Sequence, residues 1–208
     1  MRLVLLFAFL NSLHLTAQRI SFFAEIEDST IEILDESNVV SKLMFYVSDL
    51  QLETKDGDVL KMAPYYLIDF SNSSSLLLEA INPNKKEVKA IQFKLGIDSI
   101  TNVSGAFGGA LDPTKGMYWS WQSGYINFKM EGKTVNENYI LHLGGYASPF
   151  SAVQKVVLPV GDSINDILVI LPLQEILKEI LSKHTMVLSP SLEAVSISEK
   201  IASSFYTR

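Results

Sequence analysis

The chain has 208 residues, with 17 Lys and Arg against 23 Asp and Glu, 3 His and no Cys. That length suits one domain, and a hydrophobic share of 48% is too high for a disordered chain. The absence of cysteine excludes disulfide scaffolds, thiolate metal sites, iron–sulfur clusters, Cys nucleophiles and a lipidated N-terminal Cys. A net charge of -6 argues against a nucleic-acid partner, because neutralising phosphates needs clustered Lys and Arg.

The chain opens with Arg2, the apolar run Leu3 to Leu10, and a more polar stretch ending on the small residue Ala17. That three-part layout predicts a secretory signal peptide over residues 1–17, followed by one domain over 18–208. The run is too short to span a bilayer, and no later segment approaches a span. The expected product is exported, periplasmic or extracellular. Removing the leader takes away Arg2 and His14 and leaves His142 and His184.

Most of the mature chain reads as β-structure. Ile20 to Ile26 has a strand's length and apolar content, and Ser41 to Glu53 alternates with one slip at Ser48-Asp49 that predicts a bulge. Lys55 to Asp58 is a turn. Tyr65–Phe70 and Ser75–Glu79 read as short strands, and Asn82 to Glu87 as a polar turn. Val88 to Leu95 alternates again, with Val88, Ala90, Gln92 and Lys94 on one face. Residues 96–124 break the pattern with Gly, Ser, Asn and Pro; so long a connection in a compact domain usually has a function. β-signal resumes at Tyr125–Met130, Tyr139–Leu143, Lys155–Leu158 and Ile167–Ile170.

Two helices are predicted near the C-terminus. Leu173, Ile176, Leu177, Ile180 and Leu181 share one helical face, with Pro172 suited to the first helical position. The second starts near Ser189-Pro190, with Ser189 as its cap and Ala194, Ile197, Ile201 and Phe205 as its buried stripe. Many short strands and few helices give the expected fold class: mainly β, an antiparallel β-sandwich with one or two C-terminal helices.

The sharpest segment is Gly116-Met117-Tyr118-Trp119-Ser120-Trp121-Gln122-Ser123-Gly124-Tyr125, which holds both tryptophans. In an extended stretch Trp119 and Trp121 lie on one face. Two indoles there serve as a core anchor under the long loop, as a stacking platform, or as part of a metal pocket. His142, between Leu141 and Leu143 in a strand, points away from both; it is either a hydrogen-bonded structural residue or a ligand. His184 reads as a solvated loop residue. Zinc usually takes four N, S or O ligands, of which the mature chain offers at most two His, whereas copper(I) accepts imidazole and the thioethers of residues such as Met117. There is no nucleophile elbow, His-Glu-x-x-His, phosphate loop or dinucleotide fingerprint. A catalytic triad would need one of the two His, and nothing marks its partners. The acidic stretch with Asp28, Asp35 and Glu36 reads as a solvated face or a calcium contact. The two Asn-x-Ser matches at Asn72 and Asn102 matter only in a eukaryotic secretory host.

These same segments carry a resemblance. Ser41-Lys42-Leu43-Met44-Phe45-Tyr46-Val47-Ser48-Asp49-Leu50 resembles the K-L-x-Y-Y-I-S strand of MbnP-like proteins, and Pro64-Tyr65-Tyr66-Leu67-Ile68-Asp69 their Y-x-L-V-D strand. Phe93 to Asn102 is similar to F-x-I-G-V-D-S-x-x-N, Gly116 to Tyr125 to the family's central block, and Leu141-His142-Leu143-Gly144-Gly145 to F-H-I-G-G. The form resembles that of Bacteroidetes. The resemblance implies an exported β-sandwich tied to methanobactin-type copper handling, and a di-haem, MbnH-like partner that oxidises a Trp to kynurenine. It implies copper as the cofactor and a protein that is modified and is not itself an enzyme. Carried over by position, it implies His142 as a metal ligand and Trp119 or Trp121 as the oxidised residue; copper(I) chemistry adds the thioether of Met117 as a further candidate donor. The alternative is a metal-free binding module in which Trp119, Trp121 and Tyr125 form an aromatic platform for a ligand or protein.

Overall fold

In a computed structural model, residues 17–26, 29–30, 40–81, 86–119, 123–133, 138–161, 166–181, 183 and 185–208 are described. The leader read over 1–17 therefore lies outside them except for Ala17, as do the Asn82 turn up to Lys85, the acidic stretch, Trp121 and His184. The elements in order are β1 (Ala17–Ile26), β2 (Ser29–Thr30), β3 (Val40–Thr54), β4 (Val59–Lys61), β5 (Tyr65–Asp69), β6 (Leu77–Ile81), β7 (Val88–Leu95) and α1 (Ser99–Val103). They continue with β8 (Ile126–Lys133), β9 (Asn138–Gly144), β10 (Gln154–Pro159), β11 (Asp166–Pro172), α2 (Leu173–Leu181), β12 (Met186–Val187), α3 (Leu192–Ser204) and β13 (Tyr206–Thr207).

Among the described residues the strands form two sheets. The larger runs β10-β7-β3-β8-β9-β12, with β4 and β5 also on β3; the smaller runs β13-β11-β1-β2, with β6 also on β1. The inward side chains of the two sheets meet. Phe22 of β1 lies edge-on to Phe45 of β3 and Phe93 of β7, each at 6.0 Å between ring centroids. Phe45 stacks on Phe128 at 6.0 Å, and Phe205, just past α3, closes on Phe45 and Phe93 at 5.7 Å. Each such buried ring stabilises the fold by about 1.5–3 kcal/mol. The mainly-β sandwich expected from the sequence is what forms, with two exceptions to its antiparallel order: β1 pairs with β11, and β9 with β12, in parallel.

The predicted bulge sits where the alternation slips. The β3–β7 register shifts between Ser48 and Gln51, and Asp49 takes a left-handed φ of 50°. The extra residue changes parity: Leu43, Phe45 and Val47 face the core before it, Leu50, Leu52 and Thr54 after it. A second shift between Glu53 and Thr54 carries Val88 into the core, so it joins Ile91, Phe93 and Leu95 and leaves Ala90, Gln92 and Lys94.

Three expected boundaries move. Residues 73–75 form a 3-10 turn capped by Asn72, because the Ser75 hydroxyl folds back onto the Asp69 carbonyl at 2.9 Å; the strand starts at Leu77. Pro172 ends β11 and Leu173 begins the helix. Ser191, not Ser189, caps α3, its hydroxyl accepting the Ala194 N–H at 3.0 Å. The predicted stripe of Ala194, Ile197, Ile201 and Phe205 is buried.

Candidate functional site

Residues 96–119 form a folded cap on the outer face of the large sheet. Asp98 caps α1 by accepting the Thr101 N–H at 2.9 Å. Short 3-10 turns follow at Gly109–Leu111 and Pro113–Lys115. Two buried asparagines peg the cap to the sheet. Asn102 donates to the carbonyls of Ile97 (2.9 Å) and Asp98 (3.0 Å) and accepts the Tyr125 N–H at 2.8 Å. Asn127 accepts the Ile97 N–H at 3.0 Å. Both pegs need glycine opposite them. Gly96 has φ +111° and a Cβ there would meet Asn127 Cγ at 2.5 Å; at Gly124, with φ +70°, it would meet Asn102 Oδ1 at 2.1 Å.

Under the cap lies a second apolar cluster of Met44, Tyr46, Ile97, Leu111, Met117, Tyr125 and Ile126, with Tyr65, Leu67, Tyr118 and Trp119 packed against it. The ring of Tyr125 stands edge-on to Tyr46 (5.7 Å) and Tyr118 (4.9 Å). Its hydroxyl accepts the Phe107 N–H at 3.0 Å and donates to the Leu111 carbonyl at 3.1 Å. Burial holds the Tyr46 phenol far above its ordinary range, and its hydroxyl has no partner among the described residues.

The aromatic segment returns to the sheet as a narrow hairpin. The Trp119 N–H donates to the Gly124 carbonyl at 2.8 Å and the Ile126 N–H to the Met117 carbonyl at 3.0 Å. The Lys129 ammonium, its pKa lowered by burial, donates to the Gly116 carbonyl. The indole of Trp119 lies against Gly144: a Cβ there would sit 2.6 Å from the ring's Cζ3. Only glycine in β9 admits the ring.

His142 is two residues back along β9. Leu141 and Leu143 point into the core, so His142 and Gly144 share the outer face. It stands opposite Lys129 in the β8–β9 register. Its Nε2 is 2.7 Å from Glu131 Oε1, with the two side chains 17% and 30% exposed. A carboxylate only accepts, so Nε2 carries the proton and Nδ1 keeps its lone pair. Burial pushes the imidazole pKa below its ordinary value, an effect Glu131 partly offsets. A neutral ring, oriented by a carboxylate on one nitrogen and free to donate electrons from the other, is how proteins prepare a histidine for a metal.

Of the residues expected to form the site, the fold thus brings Trp119 and Met117 into one cluster and sets Trp119 on the strand face that carries His142. Trp121 lies outside the described residues. Three residues escaped the sequence: Glu131 and Lys129, which flank His142, and Gly144, the seat of the indole; Met44 is a second thioether in the cluster. The β8–β9 hairpin register, Lys133 to Asn138, would have placed Lys129 and Glu131 beside His142. Among the described residues no three His, Cys, Asp or Glu side chains gather as a metal cage. The thioethers of Met117 and Met44 are buried in the second cluster.

The sequence profile of one family, described as MbnP, matches residues 15–191, a span that contains the cap, β8 and β9. The chain belongs to the MbnP family. Its structure is similar to that of MbnP from Methylosinus trichosporium, with a TM-score of 0.54 over 86% of each chain at 14% identity. At that identity the likeness to MbnP establishes the shared sandwich fold. No curated protein matches the chain.

Proposed function

We propose that this chain is an exported, non-enzymatic copper-binding protein of methanobactin-linked copper handling. Its metal would be held on the outer face of the large sheet by His142 and the Trp119 segment. The observation that supports this most is the seat of the Trp119 indole on Gly144, two residues from His142 on the same strand face. The donors suit copper(I): a neutral imidazole with a free Nδ1 and the thioether of Met117, with Met44 in the same cluster. Bound copper(I) would supply a soft, low-coordinate cation. Glu131 orients the ring, and Lys129 keeps the aromatic hairpin on the sheet. Trp119 or Trp121 would be opened to kynurenine by a di-haem, MbnH-like partner using peroxide or dioxygen as oxidant: the indole C2–C3 bond breaks, oxygen is added at both carbons, and hydrolysis releases C2 as formate, leaving an aryl amine and a ketone where the indole offered no donor. The apolar side chains of Ile100 (76% exposed), Val103 (70%) and Phe107 (44%) favour a second reading, a metal-free module that docks a partner through the cap. Trp119 packed into the second cluster leaves little of that ring for an open platform.

The experiment is copper(I) loading of wild type and His142→Ala, with peptide mapping of protein from its native host. Copper bound by wild type and lost in the variant, and a kynurenine at position 119 or 121, support the first reading. Equal copper in both removes His142 from the account, and intact indoles in native protein remove the modification.

A further inference from the structure

A second site lies on the other flank of the cap. Two adjoining cavities, of about 390 and 290 Å³, share Pro64 and Tyr65. Small-ligand sites fall at about 300–1,000 Å³. The first cavity is charged, with Asp49, Lys61, Lys94 and Asp98 on its walls. The second is apolar, formed by Phe107, Ala110 and Leu111 beyond the Tyr65 ring.

The β3 bulge makes the wall of the charged half. Asp49, the one non-glycine residue with positive φ among those described, donates its N–H to the Pro64 carbonyl at 3.2 Å. Its carboxylate takes the Gln51 side-chain N–H at 2.7 Å and lies 3.2 Å from the Lys94 ammonium. Asp49 and Lys94 therefore satisfy one another. Asp98 and Lys61 do not have such partners. The Asp98 carboxylate accepts the Thr101 N–H (2.9 Å), the Thr101 hydroxyl (3.0 Å) and, at 3.4 Å, the Tyr65 hydroxyl. Burial opposes its charge, but these neutral donors outweigh burial and keep its pKa below the ordinary value. Among the described residues no Lys or Arg pairs with it, and Lys61 makes no ion pair, only a longer-range field at Asp49. One wall thus offers an unpaired anion, another an unpaired cation, and the apolar chamber opens beside them. A lone anion would meet Asp49 and Asp98, and a lone cation would meet both lysines. A molecule carrying both charges and an apolar arm matches all three features.

We propose that this cleft binds zwitterionic α-amino acids with a large apolar side chain, free or heading a dipeptide: ammonium on Asp98, carboxylate on Lys61, side chain past Tyr65 onto Phe107 and Leu111. The site is separate from His142 and does not depend on copper. The test is an amide-resolved NMR titration of the protein with L-phenylalanine, with phenethylamine, 3-phenylpropionate and glycine as probes that each lack one feature. Saturable shifts at Asp49, Lys61, Tyr65 and Phe107 are expected with phenylalanine, each other probe binding at least about ten-fold more weakly. Lys61→Met, at a surface strand, should weaken phenylalanine to the level of phenethylamine, and Phe107→Ala should reduce it to the level of glycine. Absence of saturable shifts, single-charge probes that bind as well as phenylalanine, or Lys61→Met with unchanged affinity would each overturn the proposal.

Discussion

The two faces of the large sheet are packed by different rules. Its inner face meets the small sheet through rings and branched chains: Phe22, Phe45, Phe93, Phe128 and Phe205 pack in one continuous group, with the Tyr139 ring buried in the same core. Its outer face is also buried beneath the cap, but there the apolar cluster is threaded with polar pegs. Asn102, Asn127, the Tyr125 hydroxyl and Lys129 each hold a particular backbone group. Apolar contact is non-directional and makes the inner core tolerant of small rearrangement. Hydrogen bonds are directional, and on the outer face they place the Gly116–Trp119 hairpin against one position of β9. One face makes the fold; the other positions a few side chains.

That contrast can be broken at either face. The largest effect is expected at the inner one. Phe45→Ala removes the ring against which Phe22, Phe128 and Phe205 pack and should cost about 3–5 kcal/mol in denaturant unfolding. Asn102→Ala strands the Ile97 carbonyl and the Tyr125 N–H, at about 1–3 kcal/mol for each group left dry, while the Asp98 carbonyl keeps the backbone N–H of residue 102. It should also do what the Phe45 change does not: raise hydrogen exchange in residues 97–125 more than in β7 and β9. Gly144→Ala pushes a methyl group into the Trp119 ring and should cost about 1–3 kcal/mol as overpacking. Its signature is a shifted Trp emission and weakened copper binding. The smallest effect concerns His142. The folded ring resists protonation while the unfolded one takes a proton near 6.5. Stability should therefore fall as pH drops below 6.5, until the folded imidazole also titrates. In His142→Gln that part of the pH slope should vanish, as urea midpoints across pH would record.

The inner face was largely legible in the sequence because periodicity reports burial. The stripe of α3, the alternation of β7 from Ile91 onward and the slip at Ser48-Asp49 all write their packing into residue type. The outer face was legible only as unusual residues. Trp119, His142 and Met117 stood out, yet what joins them is register and glycine. Lys129 and Glu131 reach His142 because β8 and β9 pair as they do, and Trp119 reaches β9 because position 144 has no side chain. Period-two patterning says which face a residue takes, not which residue of another strand it will meet. The caps moved for a related reason: Ser189 and Ser191 are equivalent by type, and only the backbone of α3 selects Ser191.

The outer face of β9 is the place where copper is expected to bind. Titration of the protein with copper(I) against a chromophoric chelator, in wild type, His142→Ala and Trp119→Phe, tests this directly. We expect saturable binding in wild type, loss of it in His142→Ala with thermal unfolding little changed, and weaker binding in Trp119→Phe. Copper bound equally by all three proteins would contradict it.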